Sequence, residues 1–184
     1  MSRWLKALLV PLLLGGLVAA NVGVGIAQAH NWGGWHWDKG GSAIHINENH
    51  SGGHTSQSVA ASENAYSTIG ILYNSRLSTH TDISVYDGAY GNTGWAGLAT
   101  IEDSNWDWGC WCNDHIGHAH AKYNTSVGYS SSSIQGVFCQ EMHHGRGFDH
   151  DNAGDCMGLG YFSGSSNVLN GHNNTDFYNR YRNH

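Results

Sequence analysis

Proline is almost missing from this 184-residue chain: Pro11 is the one example, and none follows it. Helices written into the remainder therefore meet no residue that lacks an N–H. Charge is sparse, at 12% of residues, and basic charge sparser still, with 8 Lys and Arg against 14 Asp and Glu and a net charge of −6 with histidine neutral. That balance argues against nucleic acid and anionic membranes as partners. Cysteine is limited to Cys110, Cys112, Cys139 and Cys156. Beyond the N-terminus no apolar run is long enough to span a bilayer, and there is no internal repeat. What the chain has in quantity is glycine (26), histidine (14) and tryptophan (8).

The N-terminus reads as an export signal. Arg3 and Lys6 form a basic start, Ala7 to about Ala20 is apolar, and Ala27-Gln28-Ala29 offers an A-x-A cleavage site. Gly15-Gly16 and the shortness of the run weigh against a transmembrane helix. The expected division is a signal peptide at 1–29 and one domain at 30–184, large enough for a core of its own. Losing the signal removes two of the 8 basic residues and none of the acids, so the exported part carries a net −8. All 14 histidines lie in it, and acidification below about pH 6.5 swings its charge positive. A secreted, extracellular protein without membrane attachment after cleavage is expected. In an oxidising compartment the four cysteines read as two disulfides. A Cys/His zinc site is the alternative, against which Cys110-Trp-Cys112 lacks the usual C-x2-C spacing.

Several elements can be placed by pattern. The Trp/Gly-rich stretch His30–Ser42 has no clear period and reads as an extended arm lying on the domain. Ile44 and Ile46 alternate with polar residues, as in a short strand. Val59–Leu77 has the apolar spacing of an amphipathic helix, with Ser58 or Ser62 as N-cap. Thr81–Tyr86 and Trp95–Ile101 read as strands separated by turn signals at Asp87-Gly88 and Gly91-Asn92. Glu102–Asp114 reads as an acidic, aromatic loop, and His118–Tyr123 as a strand ending at Asn124. A helix is expected from Ser132 or Ser133 to Gly145 or Gly147, with Ile134, Val137, Phe138 and Met142 on its apolar face. A last helix, Thr175–Tyr181, would have Thr175 as N-cap and Arg180 and Arg182 near its C-terminal end.

The richest segment is Gln140-Glu141-Met142-His143-His144-Gly145-Arg146-Gly147-Phe148-Asp149-His150. It differs by one residue from H-E-x-x-H-x-x-G-x-x-H, with Gln140 in place of the first histidine. On a helix, positions 140 and 144 share a face, where two imidazoles could hold one zinc ion. Glu141 would be the general base for a zinc-activated water. Gly147 can leave the helix through left-handed dihedrals and bring His150 back as third ligand. His143 lies about 100° away from position 144 around the helix and is poorly placed for the same ion.

This motif resembles that of the metzincin zinc endopeptidases, in particular small, secreted, matrixin-like bacterial domains. Asp155-Cys156-Met157 resembles their methionine turn, and the order of helices and strands is similar over nearly the whole exported part. The resemblance implies an α/β fold: a twisted, mostly parallel sheet with an antiparallel edge strand, two long helices and a smaller C-terminal subdomain. It implies peptide-bond hydrolysis, with His144 and His150 as zinc ligands, Glu141 as base, Met157 beneath the site and a Cys139–Cys156 disulfide. Peptides or proteins would be its partners, and the chain a monomer. The departure is Gln140, whose amide oxygen is a far weaker ligand than imidazole. Three outcomes follow: weak coordination by Gln140, substitution by another histidine, or a silent relative that only binds peptides.

Other features carry competing readings. His118 and His120 share one strand face as a metal pair or as a half-exposed sheet surface. Trp106–Trp111 could bind carbohydrate or peptide, or plug the sheet. Tyr161 lies four residues past Met157, too far for the tyrosine that some metzincins place two residues beyond the methionine. Cleavage after Ala29 would expose His30 as a possible copper-binding terminus.

Overall fold

Alternation along one strand organises the whole sheet. In β5 (Cys112–Asn124), Ala119, Ala121 and Tyr123 are buried while His118, His120 and Lys122 on the other face are half-buried. The same period puts Ile44 and Ile46 of β1 (Ile44–His50), and Ile83 and Val85 of β3 (Ile83–Gly88), into the core. The computed structural model describes residues 32, 34–38, 44–66, 74–75, 80–107, 112–152, 154–158, 168–169 and 171–181, with backbone alone at 63–66, 74–75, 106–107 and 112–114. The expected signal peptide, His30, Cys110, Tyr161, Arg182 and the Cys112 side chain lie outside the described residues.

The fold is α/β. β2 (Asn74–Ser75) is a two-residue strand, and β4 (Gly97–Asp107) lies at the opposite edge, in the order β2-β1-β3-β5-β4. All pairs are parallel except β4 with β5. Among the described residues the α-helices are α1 (Thr55–Tyr66), α2 (Ser131–His144) and α3 (Gly171–Tyr181). Helix α2 packs on α1, β4 and β5 and is buried from Ser133 onward except at Gln135. It starts where the Ser130 side chain accepts from the Ser133 N–H. Among the described residues, no helix is long and apolar enough to cross a membrane.

Four expectations need correction. Helix α1 begins at Thr55, so Ser58 and Ser62 lie inside it. The earlier start follows from Asp87, whose buried carboxylate accepts from the Gly52 and His54 N–H groups and pins the loop ahead of the helix. The helix is described to Tyr66, and Asn74–Ser75 is strand, so it does not continue to Leu77. Residues 102–107 and 112–114 are strand, where a loop was expected; β4 and β5 form a long antiparallel pair with register shifts that blur the period. Helix α3 begins at Gly171, and the Thr175 hydroxyl donates back to the Gly171 carbonyl at 2.8 Å, a mid-helix arrangement rather than a cap.

The N-terminal arm does lie on the domain. Trp37 is 1% exposed, its indole N–H donates to the Gly145 carbonyl at 2.9 Å, and its backbone N–H donates to the Tyr181 hydroxyl at 3.2 Å. The Tyr181 hydroxyl donates in turn to the Arg146 carbonyl at 2.6 Å. Arg180 donates to the carbonyls of Gly34 and Trp35 at 3.0 and 2.6 Å, and Trp32 N–H donates to Gly147 at 2.9 Å. The arm thus fastens the exit from α2, the stretch that leads to His150.

Candidate functional site

Helix α2 and the loop after it bring Gln140, Glu141, His144 and His150 to one cleft of ≈ 450 Å³, walled by Gly94–Ala99 of the edge strand and its approach, and by Trp32 and Tyr129. The turn out of the helix needs Gly147. Its φ is +87°, and a Cβ there would overlap the Trp35 backbone. His144 and His150 lie with ring centroids 4.6 Å apart, and the Trp32 indole sits 5.5 Å from the His144 ring. The His144 Nδ1–H donates to the Phe148 carbonyl at 2.6 Å. That bond fixes the ring and leaves Nε2 with its lone pair, as in metal-ligating histidines supported from behind. Gln140 Nε2 lies 3.1 Å from His150 Nδ1, close enough to donate to it.

Glu141 is 6% exposed and faces the edge strand, where the Ala99 N–H donates to its carboxylate. Burial raises its pKa to about 8, against the lowering effect of that N–H. Burial lowers His144 to about 4, helped by neighbouring His150 and opposed by the bond to Phe148 and by Asp149. The polypeptide alone therefore keeps Glu141 mostly protonated and His144 neutral at pH 7. A bound cation would reverse the preference of Glu141.

A pH dependence follows. With metal chelated, Glu141 has a folded pKa above its ordinary 4.5, so its contribution to stability is complete below that value and is lost as pH rises through about 8. His144 has a folded pKa below its ordinary 6.5, so its contribution is complete above 6.5 and is lost as pH falls through about 4. The two oppose each other up to pH 6.5; above it Glu141 acts alone. Urea unfolding in chelator should show a loss of about 2 kcal/mol between pH 6.5 and 8, at ~1.4 kcal/mol per unit. The loss should be absent in Glu141→Gln; an equal loss in the variant would show that another group titrates.

The edge strand approaches α2 closely at Gly97. A Cβ there would come within 2.6 Å of Val137 Cγ1 and 2.7 Å of Glu141 Cδ. Gly97→Ala should therefore push β4 off the helix and cost about 1–3 kcal/mol in chemical denaturation; a cost under ~0.5 kcal/mol would mean that the contact relaxes freely.

Behind the cleft, Cys139 and Cys156 form a disulfide with Cα atoms 5.9 Å apart, joining α2 to the turn that carries Met157. Met157 is fully buried; its N–H donates to Asp155 Oδ1 at 2.8 Å, and its carbonyl accepts from Asp151 at 3.0 Å. The sequence reading missed one grouping: ligand atoms of Cys139, His143 and Cys156 all lie within 4.8 Å of one another. The signal was available, since Cys139 and His143 are one helical turn apart. The trio could hold a metal only with the disulfide reduced. A second obstacle is His143, whose Nδ1 bonds the Cys139 carbonyl while Arg146 donates to Nε2 at 2.9 Å. Nδ1 therefore carries the proton and has no lone pair to offer. Burial, with Arg146 adding to it, holds His143 well below its usual pKa.

His118 and His120 lie on the other sheet face, half-buried. Nε2 of His118 is 3.1 Å from the Ser84 hydroxyl, and Nδ1 of His120 is 3.2 Å from Glu102. They are separate from the cleft lining.

By donor chemistry the cleft offers ligands for a divalent ion, with one weak member. His144 Nε2 is free, and His150 is released by breaking one hydrogen bond worth about 1 kcal/mol. The Gln140 amide oxygen would be the third donor. Structural zinc in peptides is worth ~10–16 kcal/mol, so the bond to His150 is a small obstacle and the amide is the main weakness. In comparisons with known proteins, no family model matches the chain, and no curated protein matches it.

Proposed function

We propose that this protein is a secreted, monomeric, metzincin-like zinc endopeptidase with an attenuated metal centre. The observation that supports this best is the convergence of Glu141, His144 and His150 beneath β4, the edge strand among the described residues. An extended peptide would add to that edge through its main-chain groups, which sets a scissile bond over Glu141. His144, His150 and the Gln140 amide would hold the zinc, with Met157 behind them. When bound, zinc would supply Lewis-acid activation of water. Glu141 would take the proton of the attacking water and hand it to the leaving amine, while the Ala99 N–H keeps the carboxylate oriented. The buried, low-dielectric surroundings would make that proton transfer sensitive to the ion's charge.

A second reading has one observation in its favour. The Gln140–His150 hydrogen bond lets the polar groups satisfy one another without a metal, which suits a silent relative that only holds peptides. Metal analysis and peptide cleavage on the purified exported chain separate the two. The enzyme predicts near-stoichiometric zinc and chelator-sensitive cleavage that disappears in Glu141→Ala. Saturable peptide binding with neither zinc nor cleavage would establish the binding module instead.

A further inference from the structure

A second cleft, of ≈ 500 Å³, opens beside the first, between the loop before β4 and the turn after β5. The two share Gly94, Trp95, Ala96 and Tyr129, so they adjoin. The second cleft is preformed by one side chain. Asn124 Oδ1 accepts from the N–H groups of Tyr90 and Ser126, both at 3.1 Å, and its Nδ2 donates to Gly91 O at 2.9 Å and Thr93 Oγ1 at 3.0 Å. Its lining also differs in chemistry from the first cleft. Among the described residues, no titratable side chain but Tyr129 lines it, whereas Glu141, His144, Asp149 and His150 line its neighbour. Trp95, Tyr129 and the 37%-exposed Val127 supply apolar surface.

We propose that this second cleft is a side-chain subsite of the peptide groove, selecting an uncharged aromatic or aliphatic residue of an extended peptide that runs on past the start of β4 from the residue opposite Glu141. The inference rests on the peptide-groove reading above. Its place comes from the edge strand: Gly97, where β4 begins, abuts Glu141, and residues 93–96, which line the second cleft, lead into that strand. A peptide paired to β4 and continuing past Gly97 carries its next side chains toward the second cleft. A charged side chain would lose its hydration there without gaining a partner, while an apolar one buries against Trp95, Tyr129 and Val127.

The test is fluorescence anisotropy of labelled octapeptides carrying Phe, Leu, Ala, Lys or Glu at each position, on the Glu141→Ala chain with zinc so that none is cleaved. Phe or Leu at one position should bind roughly ten-fold tighter than Lys or Glu. Val127→Glu, added in the same background, should remove that preference, favour Lys, and leave the Ala peptide unchanged. If no peptide binds at all, the peptide-groove reading fails and this inference fails with it. If peptides bind without a positional preference, or the preference survives Val127→Glu, the subsite alone is overturned.

Discussion

Gln140→His should raise zinc affinity about a thousand-fold and increase chelator-sensitive peptide cleavage. The substitution replaces a neutral amide oxygen by an imidazole on the turn of α2 that already faces His150. Losing one strong ligand of three costs several kcal/mol of zinc binding, and each ~1.4 kcal/mol is a factor of ten. The new side chain needs no change of backbone, because position 140 is helical and 4% exposed, beside the cleft. Competition titration with a zinc-binding dye measures the affinity. Unchanged affinity would mean that His144 and His150 do not converge on a common point, and the zinc-site proposal would fail. A rise in affinity with no cleavage would instead favour the peptide-binding reading.

The second large effect lies outside the motif. Trp37→Ala should destabilise the chain by about 3–5 kcal/mol, the range for removing a fully buried aromatic, with a fall in Tm of roughly 10 °C for a domain of this size. Trp37 fills the space between the exit of α2 and α3, and its indole N–H satisfies the Gly145 carbonyl. Its loss would free the Gly145–Gly147 segment that orients His150. The affinity for zinc should fall even where the variant remains folded. Trp32→Ala is the control: Trp32 is only half-buried and lines the cleft, so its removal should cost little stability. Thermal unfolding by circular dichroism reads both. Equal, small shifts would show that the arm is not part of the core.

The contrast between these residues marks what was legible in the chain. The period of two in Ile44–Ile46 and His118–Tyr123, and the apolar face of Ile134, Val137, Phe138 and Met142, placed two strands' worth of core and the main helix in outline. The cleft grouping of Gln140, Glu141, His144 and His150 followed from helical spacing plus one glycine. The long β4–β5 pairing did not, because polar residues and register shifts at Ile101–Asp107 erase alternation where both faces are partly wet. The start of α1 depended on Asp87, 32 residues after Thr55, and no local cap signal reports a partner so distant. Thr175 looked like a cap because its hydroxyl suits one; tertiary burial of Asn173 and Asn174 extends α3 past it. Nor could the sequence show that Asn124 ties a second cleft together, since all partners of its side chain but Ser126 lie 29 or more residues away.

The most direct measurement is X-ray anomalous scattering at the zinc edge, from crystals of the chain from His30 onward grown with zinc. The expected result is one strong peak within bonding distance of His144 Nε2 and His150, beneath the edge strand at Ala99, with the Gln140 oxygen completing the protein ligands. A peak at Cys139, His143 and Cys156, or none in the cleft at saturating zinc, would contradict it.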